Sequence, residues 1–181
     1  MSDFWLSDLK PSLSQGDLVA PVCVGTATSP FSPLIQQPTQ KGGIRPWVVG
    51  EWAADESGLG FYLSRGQLIH SVIVSYDCDL DKSSPNDPVS IAPVLSLLGT
   101  VSSETARASI RNGERYPFLF LPEIDGIIPD SYIDFRRVTY SRFRDINTLK
   151  RLKSASENGV TKFQAHLIGF YTRLDPGAMT A

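Results

Sequence analysis

The 181-residue chain predicts an α+β protein: a small, strongly bent β-sheet or barrel with one inserted helix and two C-terminal helices. Three observations carry this prediction. Short β-type runs bounded by turn residues recur from Gly16 to Tyr140. A single amphipathic stretch, Ser102–Gly113, interrupts them. From Ser141 onward the apolar spacing changes from a period of about two to one of about 3.6. The expected organisation is a β-rich domain over 1–140, with a long loop at 26–46, and a helical cap over 141–181.

Each element has its own signal. "GDLVAPVCV" (Gly16–Val24) is a β-type run opened by a Gly-Asp turn. Residues 26–46, rich in Pro, Gly, Ser and Gln, carry no period and read as a loop. "WVVGEWA" (Trp47–Ala53) and "GFYLS" (Gly60–Ser64) read as strands around the turn "ADESG". "QLIHSVIVSY" (Gln67–Tyr76) is the strongest strand, and its continuous "VIV" predicts cover on both faces. "PVSIAPVLSL" (Pro88–Leu97) follows the turn-rich "SSPNDP". The inserted helix opens on Ser, carries Glu104 in its first turn and closes on Asn-Gly. "YPFLFLPEI" and "SYIDFRRVTY" read as two further strands. "DINTLKRLKSAS" and "VTKFQAHLIGFYTRL" read as two helices broken at "ENG". The second places Phe163, His166, Leu167, Phe170, Tyr171 and Leu174 on one face.

Composition narrows the function. With 41% hydrophobic and 20% charged residues the chain has the apolar mass for a real core. A net charge of −2 gives no global basic field, so any nucleic-acid contact needs a local patch. Two cysteines, Cys23 and Cys78, do not make a secreted disulfide framework. There is no basic region followed by an apolar run at the N-terminus and no long apolar stretch, so a cytoplasmic chain without a membrane span is expected. No zinc signature is present, and "KGGIRP" lacks the Lys-Ser/Thr of a phosphate loop, so neither metal nor cofactor is expected.

Three segments resemble the PemK/MazF-like barrels of bacterial toxin–antitoxin systems: "QGDLVAPV", "VIVSYDCDLDK" with "VSIAPV" a short loop later, and a late strand pair. The similarity covers Gln15–Leu97 and, more loosely, Arg115–Tyr140. It implies an SH3-like barrel and, for active members, metal-independent cleavage of single-stranded RNA. Those enzymes place an Arg before the "V-L-V-L-S" strand and a Ser or Thr after the "A-P" strand. The corresponding candidates are Arg65 or His70, and Ser96. No Arg-Pro precedes the strand, so the developing phosphorane charge lacks its evident stabiliser. The expectation is a binding protein of a toxin–antitoxin or phage-defence setting, taking single-stranded nucleic acid or a protein partner and open to oligomerisation. The alternatives are an endoribonuclease and a structural subunit with no nucleic-acid contact.

Two clusters are candidate binding residues. In "SYDCDLDK", an extended chain would align Asp77, Asp79 and Asp81 on one face, with Cys78 and Leu80 on the other. This is either a carboxylate site or a strand end dissolving into a turn. Lys82 and Pro88 stand where a calcium loop needs Gly and Glu. Acidic neighbours and the "VIVS" strand predict that Cys78 is a buried, unreactive thiol. In "FRRVTYSRFRD", Arg136, Arg137, Arg142 and Arg144 are interleaved with Phe135, Tyr140 and Phe143. That composition serves either phosphate contact and base stacking or a solvated face paired with the chain's own acids.

Overall fold

In a computed structural model, the described residues are 3–25, 32–36, 47–49, 61–63 and 66–173, with side chains over 3–22 and 68–173. The chain divides into two units, Met1–Val22 with Ile69–Ala181, and Cys23–Leu68. In chain order the strands are β1 (Leu18–Gly25), β2 (Ser32–Gln36), β3 (Trp47–Val49), β4 (Phe61–Leu63), β5 (Gly66–Ile73), β6 (Pro88–Ser96), β7 (Phe118–Leu121), β8 (Ser131–Asp134), β9 (Thr139–Arg142) and β10 (Arg151–Lys153). The helices are α1 (Asp77–Leu80), α2 (Leu97–Thr100), α3 (Glu104–Arg111), α4 (Phe143–Asn147) and α5 (Glu157–Thr172). The protein is therefore α+β. In the second unit, β2 pairs antiparallel with both β3 and β4. β2 lies inside the stretch read as a loop, while 26–31, 37–46 and the "ADESG" turn fall outside the described residues.

The larger sheet has the order β10-β1-β5-β6-β8-β7, with β9 also on β6. β6 organises it. One edge pairs β5 through Ser71↔Pro93 to Ile73↔Ile91. The other edge pairs β9 along Pro88–Ile91 and β8 along Val94–Ser96. β8 and β9 are thus one interrupted strand. Between the paired residues Ile91 and Val94, β6 has only Ala92 and Pro93, whereas the facing chain runs from Asp134 to Val138. The surplus coils into a 3-10 turn at Phe135–Arg137. A long insertion of this kind bends a strand sharply. Among the described residues no pairing joins β10 to β7, so the path is open.

Both faces of the central strands are covered, as the "VIV" run predicts. Val72, Val74, Ala92 and Val94 pack with Phe135, Phe163 and Leu167. Ile73, Val89 and Ile91 pack on the opposite side with Leu13, Leu80 and Ile146. α3 is bounded by Ser103, whose hydroxyl accepts from the Ala106 N–H at 3.3 Å, and by Gly113 at φ +71°. α5 begins earlier than its apolar pattern suggests. Ser156 caps it by accepting from the Gly159 N–H at 3.0 Å, so "ENG" is its first turn, not a break.

The segment 141–156 differs most from expectation. α4 ends at Asn147, and Arg151–Lys153 form a strand paired with β1 through Leu18↔Lys153 and Val19↔Arg151. Leu149 and Leu152, whose spacing of three would place them on one face of a helix, pack into opposite core layers. The pairing holds a buried carboxylate. Asp17 is fully buried at the head of β1; its Oδ2 accepts from the Ser14 N–H at 2.9 Å and lies 3.4 Å from Arg151 Nη1. Its Oδ1 has no hydrogen-bond partner among the described residues. Desolvation raises its pKa above the usual carboxylate value, against the pull of Ser154, Ser14 and Arg151.

Candidate functional site

The acidic stretch is a helical turn, not a strand edge. β5 stops because Ser75 Oγ accepts the Ser90 N–H at 2.9 Å, where the ladder would otherwise continue. The chain then turns into α1, pinned by buried Leu80. Residues two apart on a helix do not face each other, so Asp79 turns away from Asp77 and Asp81, which lie one helical turn apart, and the expected row of three carboxylates does not form. Asp77 Oδ1 accepts the Gln15 N–H at 2.6 Å and ties α1 to the β1 turn. Cys78 is exposed, with Sγ 3.8 Å from Asp79 Oδ1, which corrects the expectation of a buried thiol. The helical turn, absent from the sequence pattern, carries it outward. Among the described residues no group of three His, Cys, Asp or Glu is placed to hold a metal ion.

The arginine stretch is largely neutralised from within. Buried Asp134 accepts from Arg136 Nε and Nη2, each at 2.8 Å, and from the Arg136 N–H at 3.1 Å. That pairing raises the Arg136 pKa further. The guanidinium also stacks 4.9 Å from the Phe118 ring centre. Arg137 Nε lies 3.5 Å from the same carboxylate, and Arg144 Nε 3.5 Å from Asp145 Oδ1. Arg142 is exposed and has no such partner among the described residues. It shares the outward face of β9 with Tyr140, whose exposure is 69%.

Two of the three residues suggested for catalysis lie among the described residues. Ser96 caps α2, its Oγ accepting the Gly99 N–H at 3.1 Å. His70 is half-buried on β5, the strand next to β6, and no hydrogen bond joins it to Ser96 among the described residues. Arg65 falls outside the described residues.

The loop that follows the acidic turn and the end of the arginine stretch join at one end of the larger sheet. The Phe143 N–H donates to the Asp87 carbonyl at 2.9 Å and the Arg144 N–H to the Pro85 carbonyl at 3.0 Å, docking the loop after α1 onto the start of α4. Beside this junction lies a groove of about 360 Å³ between α1, β6 and the last turns of α5. Its floor is apolar, with buried Val74 and Leu167, and exposed Ile168 also lines it. Tyr76 and Tyr171, 45% and 68% exposed, line it together with the Asp79 carboxylate. Ser90, on its β6 side, is the cross-strand partner of Tyr140, so Tyr140 and Arg142 stand on the same sheet face beside the groove. Sequence reasoning missed Tyr76 and Tyr171. Tyr171 reads as core because it sits at the edge of the α5 apolar stripe, and Tyr76 reads as the end of a strand.

The chain matches no family model, no curated protein and no solved structure.

Proposed function

We propose that this protein is a binding module that holds a basic segment of a protein partner in the groove between α1 and α5. The observation that carries the reading is the pair of exposed tyrosines, Tyr76 and Tyr171, beside the Asp79 carboxylate over an apolar floor. Aromatic faces attract cations, a carboxylate strengthens that attraction, and the apolar floor accommodates an aliphatic stem. On α1 and the loop after it the exposed acids Asp77, Asp81 and Asp87 outnumber Lys82, with Arg142 a cation beside the groove, and the chain carries a net −2. The family resemblance and the open, bent sheet support an SH3-like barrel opened at one seam as the scaffold. The test is fluorescence polarisation with a labelled peptide containing both arginine and lysine. Tyr171→Ala should weaken binding roughly three- to thirty-fold, while Arg142→Ala, which removes a like charge beside the groove, should not weaken it. Equal affinity for an acidic peptide, or no effect of Tyr171→Ala, would refute the reading.

A second reading rests on Tyr140 and Arg142, which offer a ring for base stacking and an unpaired cation for phosphate on one strand face. Here a labelled single-stranded RNA should bind, and Arg142→Ala should reduce the slope of log affinity against log salt by roughly 0.7. Because Arg136, Arg137 and Arg144 already face carboxylates, Arg137→Ala should change that slope far less.

A further inference from the structure

Resting on the protein-partner reading, we infer that the groove is selective for an arginine side chain over lysine. The argument begins with hydrogen-bond capacity. A guanidinium is a planar fork of five N–H donors, and an ammonium is a compact point charge with three. Asp79 lines the groove, and the only contact of its carboxylate among the described residues is the weak one from the Cys78 thiol, at 3.8 Å. Two parallel N–H···O bonds to one carboxylate are the geometry that the guanidinium fork fits. The Ser90 hydroxyl, also lining the groove, has no hydrogen-bond partner among the described residues and is available to accept a third N–H. Ser75 Oγ already accepts the Ser90 N–H at 2.9 Å and keeps a second lone pair.

The walls favour the same group. A guanidinium stacks flat on an aromatic face while its edge hydrogen-bonds, so cation–π contact and the carboxylate bonds do not compete. A strongly hydrated ammonium must shed water to enter a groove floored by Val74 and Leu167, and it cannot bond both oxygens of one carboxylate in one plane. The arginine stem, three methylenes long, then lies on that floor. The protein already shows such a seat elsewhere: Arg136 forks onto Asp134 while stacking on Phe118.

The full chain is titrated with N-acetyl-arginine methylamide, its lysine counterpart and its citrulline counterpart, following the ring protons of Tyr76 and Tyr171 by NMR. Citrulline keeps the shape and removes the charge. The expected result is saturable shifts of both rings with the arginine probe, about tenfold weaker binding of the lysine probe, and no saturable shift with citrulline. In Asp79→Asn, whose exposed side chain carries no structural bond, the arginine preference should fall to near unity with the amide spectrum otherwise preserved. Equal binding of arginine and lysine, or of arginine and citrulline, overturns the selectivity while leaving a groove that binds cations or side chains. No ring shift with any probe overturns both the selectivity and the protein-partner reading, and a ring shift with oligouridylate alone transfers the groove to nucleic acid.

Discussion

Two side chains behave differently from what their neighbours in sequence imply. Asp17 is a buried carboxylate with one oxygen unpartnered among the described residues, and its pKa is raised mainly by desolvation. The folded protein therefore binds its proton more tightly than the unfolded chain does. Stability from this group is present below about pH 3.9, the ordinary carboxylate value, and is lost as pH rises to the raised one. Asp17→Asn removes that loss, so the melting temperature of the variant relative to the parent should be higher at pH 7 than at pH 3.5. A difference that stays constant between the two pH values would contradict this. His166 titrates in the other direction: burial lowers its pKa despite the Tyr116 carbonyl, so its contribution is lost as pH falls below about 6.5. Being common to both proteins, it cancels in the comparison. Cys78 is exposed on α1, so a thiol reagent should label it in the native state at neutral pH. In a Cys23→Ser background, one equivalent should react without denaturant, and protection until unfolding would restore the buried-thiol expectation.

At the scale of elements, the junction between β8 and β9 depends on one carboxylate. Asp134 accepts from the Arg136 backbone and side chain, approaches Arg137, and caps the 3-10 turn that lets both strands share β6. Asp134→Ala removes a cap and frees two exposed arginines that water can solvate. The expected cost is about 2 kcal/mol, the upper end for a lost cap, read from the midpoint of urea unfolding with an unchanged slope. Asp134→Asn keeps the acceptor for the Arg136 N–H and should cost about half as much. Equal losses in the two variants would mean that the charge, not the cap, holds the turn. The turn also explains why Arg136 and Arg137 do not divide between the two faces of a strand.

For the molecule as a whole, residues 141–173 belong to the fold. β10 pairs β1, Arg151 reaches Asp17, and α5 covers the Val72–Val74 face with Phe163 and Leu167. The N-terminal segment also leans on this region: the Leu6 N–H donates to the Ser154 carbonyl at 2.9 Å and the Ser156 N–H to the Phe4 carbonyl at 2.9 Å. Truncation after Tyr140 should therefore abolish cooperative unfolding, and not merely remove the helical dichroism. A truncated protein that retains a sharp melt and a β spectrum would show that the sheet stands without β10 and α5.

What the sequence determined by itself were the elements whose signals are local. The central strands β5 and β6 follow from continuous apolar runs, and α3 from Ser103 and Asn112-Gly113 at its ends, because burial on two faces and end-capping act within a few residues. The α+β class followed from the same signals. The tertiary structure alone decided the rest. Arg151–Lys153 is a strand because β1 offers an unpaired edge, a long-range partner that outweighs the residues' helical spacing. Arg136 and Arg137 are neutralised because the buried Asp134 accepts from the first and lies beside the second, which no spacing reveals. The groove exists because α1, β6 and α5, distant in sequence, end at one place. Its tyrosines look like core until the layers are assembled, since exposure at the edge of an apolar stripe is a property of what packs there, not of the residue.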